Sequence, residues 1–191
     1  MKRNLLILFA VLAVAAAAWI WDSKGSSAGS AAGEIVEGKA IAGIPAAPSP
    51  KENRYAPPVS FASLDGSDAK YEVGGKRDKA MIVNFWAAWC GPCEKEAPEL
   101  LSIYEAHKDK LDLYAVNATK FDKLRDAKVF VREQGFNTFP VLTDPEGTGV
   151  DLYKVAYFPV SFIIDRDGVI RHRIEGIIDR EQWEQYLADV L

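Results

Sequence analysis

The chain contains two cysteines, Cys90 and Cys93, within the segment NFWAAWCGPCEKEAPEL, and only Gly-Pro separates them. Two thiols at this spacing can form a structural cross-link, supply half of a metal site, or act as a redox centre that opens and closes. The function that the rest of the sequence indicates depends on which of these three uses applies.

A structural cross-link and a metal site are both disfavoured. A disulfide stabilises a fold mainly by constraining the unfolded chain, and this effect is small when only two residues are enclosed. A structural zinc ion takes four ligands, and besides the thiols the chain offers only His107 and His172. His107 falls at a lysine-rich helix end, and His172 alternates with arginines on a strand that we expect to be exposed. We therefore expect neither a metal nor another cofactor.

The surrounding sequence favours a redox centre. The apolar run AMIVNFWAA predicts a buried strand, and a helix is expected from about Pro92 through CEKEAPELLSIYEAHKDK. Pro92 fits the first helical turn, so Cys90 falls at the helix N-terminus, where the dipole favours a thiolate. Cys93, nearly one turn further on, should be more buried, so we expect Cys90 to attack and Cys93 to resolve. Trp86 and Trp89 either shield the sulfurs or pack in the core.

The remaining segments predict an α/β domain. PVSFASLDGSDAKYEV predicts two strands joined by a turn at Asp65-Gly66, and LDLYAVNA predicts a second buried strand. FDKLRDAKVFVREQG has helical periodicity, and FPVLTD and GVDLYKVA follow as a short strand and a short helix. VSFIIDRDGVIRHRIEG predicts a hairpin that turns at Asp167-Gly168, and DREQWEQYLADVL predicts a closing helix with Asp179 as its N-cap. This order indicates a central mixed sheet flanked by helices.

The N-terminal part of the chain differs from this domain. Residues 1–21 begin with two basic residues, followed by an apolar run that ends in Trp-Ile-Trp. This ending favours an uncleaved membrane anchor with a cytoplasmic N-terminus, while four alanines before it leave a cleaved signal peptide as the alternative. Residues 22–54, rich in Gly, Ala, Ser and Pro, predict a flexible linker. The domain itself is expected over residues 55–191.

The charge distribution does not indicate nucleic acid binding. The formal net charge is −4 at pH 7, and residues of both signs are mixed along the chain. We expect no nucleic acid partner, because there is no basic stripe to neutralise phosphates.

The segment WCGPC after a buried strand resembles the active-site motif of the thioredoxin superfamily. The chain is most similar to the ResA/TlpA group of membrane-anchored thiol-disulfide oxidoreductases, which combine an N-terminal anchor with the pattern NFW-x-x-WC-x-x-C-x-x-E-x-P. The matching residues are Asn84, Phe85, Trp86, Trp89, Cys90, Cys93, Glu96 and Pro98. The resemblance covers about residues 55–191. It implies a thioredoxin fold with an N-terminal β-hairpin and an inserted β-α unit.

The resemblance also implies roles for residues outside the thiol pair. A glutamate at the position of Glu96 tunes the proton transfers of the thiols in the ResA group, and a glutamate that only stabilises the helix dipole is the alternative. The superfamily carries a cis-proline before the hairpin, which Pro159 matches better than Pro140 because the hairpin follows it directly. A cis bond there would leave the backbone of Phe158 open to pair with a substrate strand. The residues expected to contact substrate are Trp89, Gly91, Pro92, Phe158 and Pro159.

The sequence departs from the ResA pattern at two positions. Gly91-Pro92 stands where ResA proper has Glu-Pro, and Phe158 is bulkier than the usual residue before the cis-proline. Both positions influence the reduction potential and the fit of a substrate.

The implied activity is thiol-disulfide exchange on the outer face of the cell membrane, where the N-terminal helix would hold the enzyme. It would reduce exported proteins, with apocytochrome c in cytochrome c maturation as first substrate and a spore-envelope protein as second. Because the chain has two cysteines, the oxidised enzyme needs an outside electron donor, such as a membrane thiol carrier of the CcdA/DsbD type. The alternatives are an oxidase that forms disulfides and a non-catalytic binding module. The Gly-Pro dipeptide favours reduction over oxidation.

Overall fold

A mixed eight-stranded sheet forms the centre of the protein. The computed structural model describes residue 41 and residues 43–191, so the predicted anchor and most of the predicted linker lie outside the described residues. The strands are β1 (Arg54–Tyr55), β2 (Val59–Ser63), β3 (Lys70–Val73), β4 (Ala80–Trp86), β5 (Leu111–Asn117), β6 (Val141–Thr143), β7 (Val160–Ile164) and β8 (Val169–Glu175). Their order in the sheet is β1-β8-β7-β4-β5-β6-β2-β3.

The helices alternate with the strands after β4. They are α1 (Gly91–His107), α2 (Leu124–Gln134), α3 (Thr148–Leu152) and α4 (Arg180–Ala188), with a 3-10 turn at Thr119–Phe121 between β5 and α2. Within residues 43–191, none of these helices combines the length and the apolar character needed to cross a membrane.

The pairing of the strands confirms the predicted mixed sheet. β4, β5 and β6 are parallel to one another, whereas β7 is antiparallel to β4 and to β8. The predicted hairpin near the start of the domain is β2–β3. The inserted β-α unit is β6 with α3, which lies between α2 and the β7–β8 hairpin.

Both faces of the sheet are covered. Helices α1, α2 and α4 pack on one face, with Leu100, Phe130 and Trp183 in the same apolar cluster as the two cysteines. The other face carries a second cluster that includes Phe61 and Val150, which come from β2 and α3. All seven residues of β4 are buried between these layers, as the continuous apolar run predicted.

The packed chain begins before the predicted boundary at Tyr55. The backbone N–H of Asn53 donates to the carbonyl of Ile170 at 2.8 Å, and the N–H of Arg173 donates to Glu52 Oε1 at 3.1 Å. Residues 52 and 53, which the sequence assigned to the linker, therefore lie on β8. Free backbone groups along the edge of β8 bind these residues, and amino-acid composition alone does not reveal such a contact.

The chain joins the sheet at the end remote from the carboxyl end of β4. Strand β1 pairs with Val169 and Ile170 at the start of β8. Ile170 pairs with Ile164 at the end of β7, and Ile164 pairs with Met81 near the start of β4. The point of entry and the carboxyl end of β4 are therefore at opposite ends of the sheet.

Both predicted hairpin turns place a glycine in the left-handed region. Gly66, between β2 and β3, has φ +93°, and Gly168, between β7 and β8, has φ +82°. A Cβ on Gly66 would meet no atom within 4 Å, whereas a Cβ on Gly168 would lie 2.7 Å from the carbonyl oxygen of Gly75. The two glycines therefore share a left-handed backbone conformation, but only Gly168 is closely surrounded by other atoms.

We expect Gly168→Ala to destabilise the protein more than Gly66→Ala. Both alanines would adopt a left-handed conformation that costs about 1–2 kcal/mol. Only the alanine at position 168 would also displace a backbone oxygen, which should add at least about 1 kcal/mol. Urea denaturation of each variant of the full chain measures the two losses in free energy of unfolding. Equal losses would contradict the close approach to Gly75.

Candidate active site

The two cysteines form a disulfide at the start of α1, with their Cα atoms 5.2 Å apart. Cys90 is the N-cap of the helix, and its Sγ accepts a hydrogen bond from the backbone N–H of Cys93 at 3.1 Å. Gly91 and Pro92, the first two residues of α1, are exposed. The helix begins here because Pro92 lacks only an N–H that a first turn leaves unpaired. The expected position of Cys90 at a helix N-terminus is confirmed.

The disulfide is nearly covered by the protein. Cys90 is 5% exposed and Cys93 is 3% exposed, so the predicted difference in burial is small in this oxidised form. The residues that a partner protein can touch are instead the neighbours of the sulfurs, Trp89, Gly91 and Pro92, all of which are exposed.

The two tryptophans before Cys90 have different environments. Trp86 is fully buried and stacks on Phe130 with a centroid distance of 4.6 Å, so it is a core residue. Trp89 is 64% exposed. Its Nε1–H donates to the carbonyl of Phe121 at 2.9 Å, and its ring meets Phe158 edge-on at 5.8 Å. Only Trp89 is therefore placed to meet a partner of the disulfide.

The peptide bond between Phe158 and Pro159 is cis. Val160, the next residue, begins β7 and pairs with Phe85, so Pro159 lies beside the carboxyl end of β4. Pro159 is buried and Phe158 is half-buried. In the described part of the chain neither backbone group of Phe158 is hydrogen bonded. The prediction that Pro159, and not Pro140, carries the cis bond is confirmed.

Glu96 is buried on the same helix as the disulfide, one turn after Cys93. Only 1% of it is exposed, its Oε2 accepts a hydrogen bond from Asn84 Nδ2 at 3.0 Å, and its Oε1 has no protein partner among the described residues. Burial disfavours the charged carboxylate and raises the pKa of Glu96 to about 8, against a smaller lowering by the Asn84 hydrogen bond. A carboxyl group that only stabilised the helix dipole would be expected at the surface.

Asn84 links Glu96 to Ser161. The Asn84 amide also donates to Ser161 Oγ at 2.9 Å, and the two residues are direct cross-strand partners on β4 and β7. Asn84 appeared in the sequence analysis only as a motif residue, and Ser161 did not appear. Both interrupt otherwise apolar strands, and a polar side chain in a buried strand must find a partner, so this signal was present in the sequence.

A loop after β5 holds the backbone that leads into Cys90. Asp122 Oδ2 accepts hydrogen bonds from the N–H of Ala88 at 2.6 Å and from Asn117 Nδ2 at 2.8 Å. The N–H of Ala118 donates to the carbonyl of Trp86 at 2.9 Å. These contacts fix the segment between β4 and α1 and were not foreseen, because an aspartate in a loop carries no local sign of a distant partner.

Both histidines lie against α4. His107 Nε2 is 2.8 Å from Glu184 Oε2, and the ring of His172 stacks on Tyr186 at 4.3 Å. The side chain of His172 is only 20% exposed, so the expectation of an exposed strand was wrong at this position. The strand is covered there because α4 packs across it.

This arrangement supports thiol-disulfide exchange. A thiolate at Cys90 would receive the N–H of Cys93 and the positive end of the α1 dipole, and both interactions favour the reactive form. Glu96 is a buried acid whose pKa, about 8, lies close to neutral pH, and such a group can take up and return a proton. The exposed rim of Trp89, Gly91 and Pro92 leaves room for a protein partner.

Comparisons with known proteins agree with this chemistry. Residues 53–173 match the AhpC/TSA family. The thiol-disulfide oxidoreductase ResA of Bacillus thuringiensis subsp. konkukian is 35% identical over 69% of this chain and 75% of its own length. The thioredoxin-like protein YneN of Bacillus subtilis is 33% identical over 72% of this chain and 79% of its own length.

Solved structures show the same fold. A Chlorobium tepidum protein assigned as the thiol:disulfide interchange protein DsbE superposes with a TM-score of 0.63 at 30% identity, over 71% of this chain and 94% of that one. StoA from Bacillus subtilis superposes with a TM-score of 0.58 at 26% identity, over 75% of this chain and 99% of the StoA chain. The predicted thioredoxin fold is confirmed. The chain belongs to the AhpC/TSA family and, within it, to the thiol-disulfide oxidoreductases of the ResA type.

Proposed function

We propose that this oxidoreductase reduces disulfides in exported proteins, with apocytochrome c as its first substrate. The observation that carries the proposal is a disulfide at the N-terminus of α1 with a buried, protonated carboxyl group, Glu96, on the same helix. The thiolate of Cys90, at the N-terminus of α1, supplies the attacking group. The buried acid supplies a proton store for the second thiol.

Reduction of a substrate proceeds in two exchanges. The Cys90 thiolate attacks one sulfur of the substrate disulfide, forms a mixed disulfide and releases the first substrate thiolate. The Cys93 thiolate then attacks Cys90 Sγ, releases the second substrate thiolate and closes the enzyme disulfide. Two electrons pass from the enzyme dithiol to the substrate, and the enzyme must be reduced again by an external dithiol. A membrane thiol carrier of the CcdA/DsbD type is the donor we propose.

Glu96 serves the second exchange. Cys93 must lose a proton before it can attack, and the carboxylate form of Glu96 can accept it, because a pKa close to the operating pH keeps both forms of the acid populated. A free thiol titrates near about 8.5, and burial raises the pKa of Glu96 to about 8. In the reverse direction the protonated carboxyl group returns the proton to the departing Cys93 thiolate. Asn84 holds the carboxyl group through its Oε2 and leaves Oε1 free.

The substrate backbone is proposed to lie along Phe158. A polypeptide strand can pair with free backbone groups at an edge, and those of Phe158 are without partners in residues 43–191. Trp89 borders the same place, since its ring contacts that of Phe158. Gly91 and Pro92 complete the contact surface.

We place the enzyme on the outer face of the cell membrane, held by the helix predicted for residues 1–21. Disulfides persist in exported proteins and are rare in the cytoplasm, so a reductase of this kind finds its substrates outside. Sequence supports this placement through the basic start and the Trp-Ile-Trp end of the apolar run.

The reduction potential of the full chain tests the direction of the reaction. A reductase should have a potential near that of thioredoxin, roughly −270 mV, and not near the roughly −120 mV of a strong oxidant. Equilibration of the Cys90–Cys93 pair with glutathione buffers of stated composition measures it. A value close to that of the strong oxidant would instead identify an enzyme that forms disulfides.

The two serine variants should fail in different ways. Cys90→Ser should be inert, because no thiolate remains at the helix N-terminus to open a substrate disulfide. Cys93→Ser should attack but be unable to release its product, so covalent mixed disulfides should accumulate and identify the substrate. Affinity purification of each variant from cells, with and without reductant, detects these adducts. Adducts on Cys90→Ser alone would reverse the two roles.

Glu96→Gln should slow exchange and alter its pH dependence. Glutamine can still accept the hydrogen bond from Asn84 but cannot carry a proton for Cys93, so the step near pH 8 should disappear from the rate profile. Thiol titration and stopped-flow exchange measure this. Glu94→Gln is the matched control for the thiol titration, because it removes an exposed carboxylate from the first turn of α1. Equal effects of the two variants would mean that Glu96 acts only on the helix dipole.

The stability of the oxidised protein provides an independent readout. The pKa of Glu96 is raised from 4.5 to about 8, so the folded protein keeps a proton that the unfolded chain releases between these values. Stability from this group is therefore fully present at low pH and falls as the pH rises toward 8, by up to about 1.4 kcal/mol per pH unit. Glu96→Gln should lack this slope.

A further inference from the structure

A groove shares Trp89 with the contact surface at Phe158 and otherwise has different lining residues. It has a volume of about 630 Å³ and runs between the start of α1, the 3-10 turn and α2. Trp89, Phe121 and Phe130 supply its aromatic surface. Phe158 and Pro159 do not line it, so the groove offers a second place for a bound polypeptide.

Two aromatic side chains of the groove are exposed to solvent and are fixed in position by hydrogen bonds. Trp89 is 64% exposed and Phe121 is 52% exposed. The hydrogen bond from Trp89 Nε1 to the carbonyl of Phe121, at 2.9 Å, ties the two residues together. Asp122 holds the adjoining N–H of Ala88 at 2.6 Å. Large aromatic side chains fixed in an exposed position are characteristic of interaction sites.

The rim of the groove is acidic. Its charged lining residues are Glu94, Asp122, Asp126, Glu133, Lys120 and Lys123, four carboxylates against two ammonium groups, or a net charge of −2. Among the described residues, Glu94, Glu133 and Lys123 form no ion pair, whereas Asp126 lies 2.9 Å from Arg125, and Lys120 lies 3.9 Å from Asp151 and over the ring of Phe121. The exposed carboxylates of Glu94 and Glu133 are therefore available to a cation.

We propose that this groove binds a basic side chain of the substrate polypeptide close to its reacting cysteine. The aliphatic stem of a lysine or arginine would lie on Trp89 and Phe121, and its charged end would meet Glu94 and Glu133. Trp89 directly precedes Cys90, so the basic residue must fall within about three residues of the substrate cysteine, a reach of about 10 Å. The inference rests on the proposed function and adds a sequence preference to it.

Peptide disulfides of opposite charge test the preference. Three short peptides carry one cysteine flanked on both sides by lysine, glutamine or glutamate, and each is oxidised to its symmetric dimer. The reduced full chain converts each dimer into two peptide thiols and becomes oxidised at Cys90–Cys93. We expect the second-order rate constant of this single exchange to be about fivefold or more higher for the lysine dimer than for the glutamate dimer at low salt. The ratio should shrink in high salt, because exposed charges are screened.

Variants of the rim distinguish the groove from the overall charge of the protein. The double variant Glu94→Gln, Glu133→Gln should bring the lysine-to-glutamate ratio close to one, and Glu133→Lys should reduce or invert it. The ratio is the quantity compared, because Glu94 also lies in the first turn of α1 and affects Cys90 itself. Glu181→Lys changes the net charge at an exposed position on α4 and should leave the ratio unchanged.

The outcomes separate this inference from the proposed function. Equal turnover of the three dimers by the unaltered enzyme, or a ratio that Glu181→Lys changes as much as Glu133→Lys does, would overturn the groove while leaving the reductase activity in place. Failure to reduce any of the dimers would overturn the proposed function and the groove with it.

Discussion

Burial of β4 on both faces is the constraint from which the active site follows. Its seven residues are covered by helices on one side and by β2 and α3 on the other, so the chain can reach solvent only beyond the end of the strand. Four residues separate Trp86 from the first residue of α1. That short passage places Trp89 at the surface and Cys90 at the helix N-terminus, where unpaired N–H groups gather.

The same buried layer sets the properties of the acid. An isolated carboxyl group in an apolar layer is tolerated because it is mostly protonated at neutral pH and because Asn84 donates a hydrogen bond to one of its oxygens. Asn84 in turn is oriented by Ser161 on the neighbouring strand. A polar chain therefore crosses from β7 through β4 to the helix that carries the disulfide, and the energetic penalty of burying the charged carboxylate is what raises the pKa of Glu96.

Local patterns were enough to predict the strands around the site, the start of α1 and both hairpin turns, since each depends on a run of residues close in sequence. The cis bond at Pro159 followed from the resemblance, together with the position of Pro159 directly before the hairpin, which Pro140 does not share. The polar Ser161 in an apolar strand indicated that it needed a partner, but the sequence did not identify that partner, 77 residues away, nor the contact of Asp122 with Ala88, 34 residues away. The covered position of His172 was missed for the same reason, because α4 is what covers it.

Strand β1 joins the sheet at the end that lies opposite the disulfide. Six residue steps along β4 separate the entry end from the disulfide end, a distance of about 20 Å. The pairing of β1 with β8 therefore begins the sheet at the end opposite the disulfide, and β1 does not cover the exposed residues Trp89, Gly91 and Pro92.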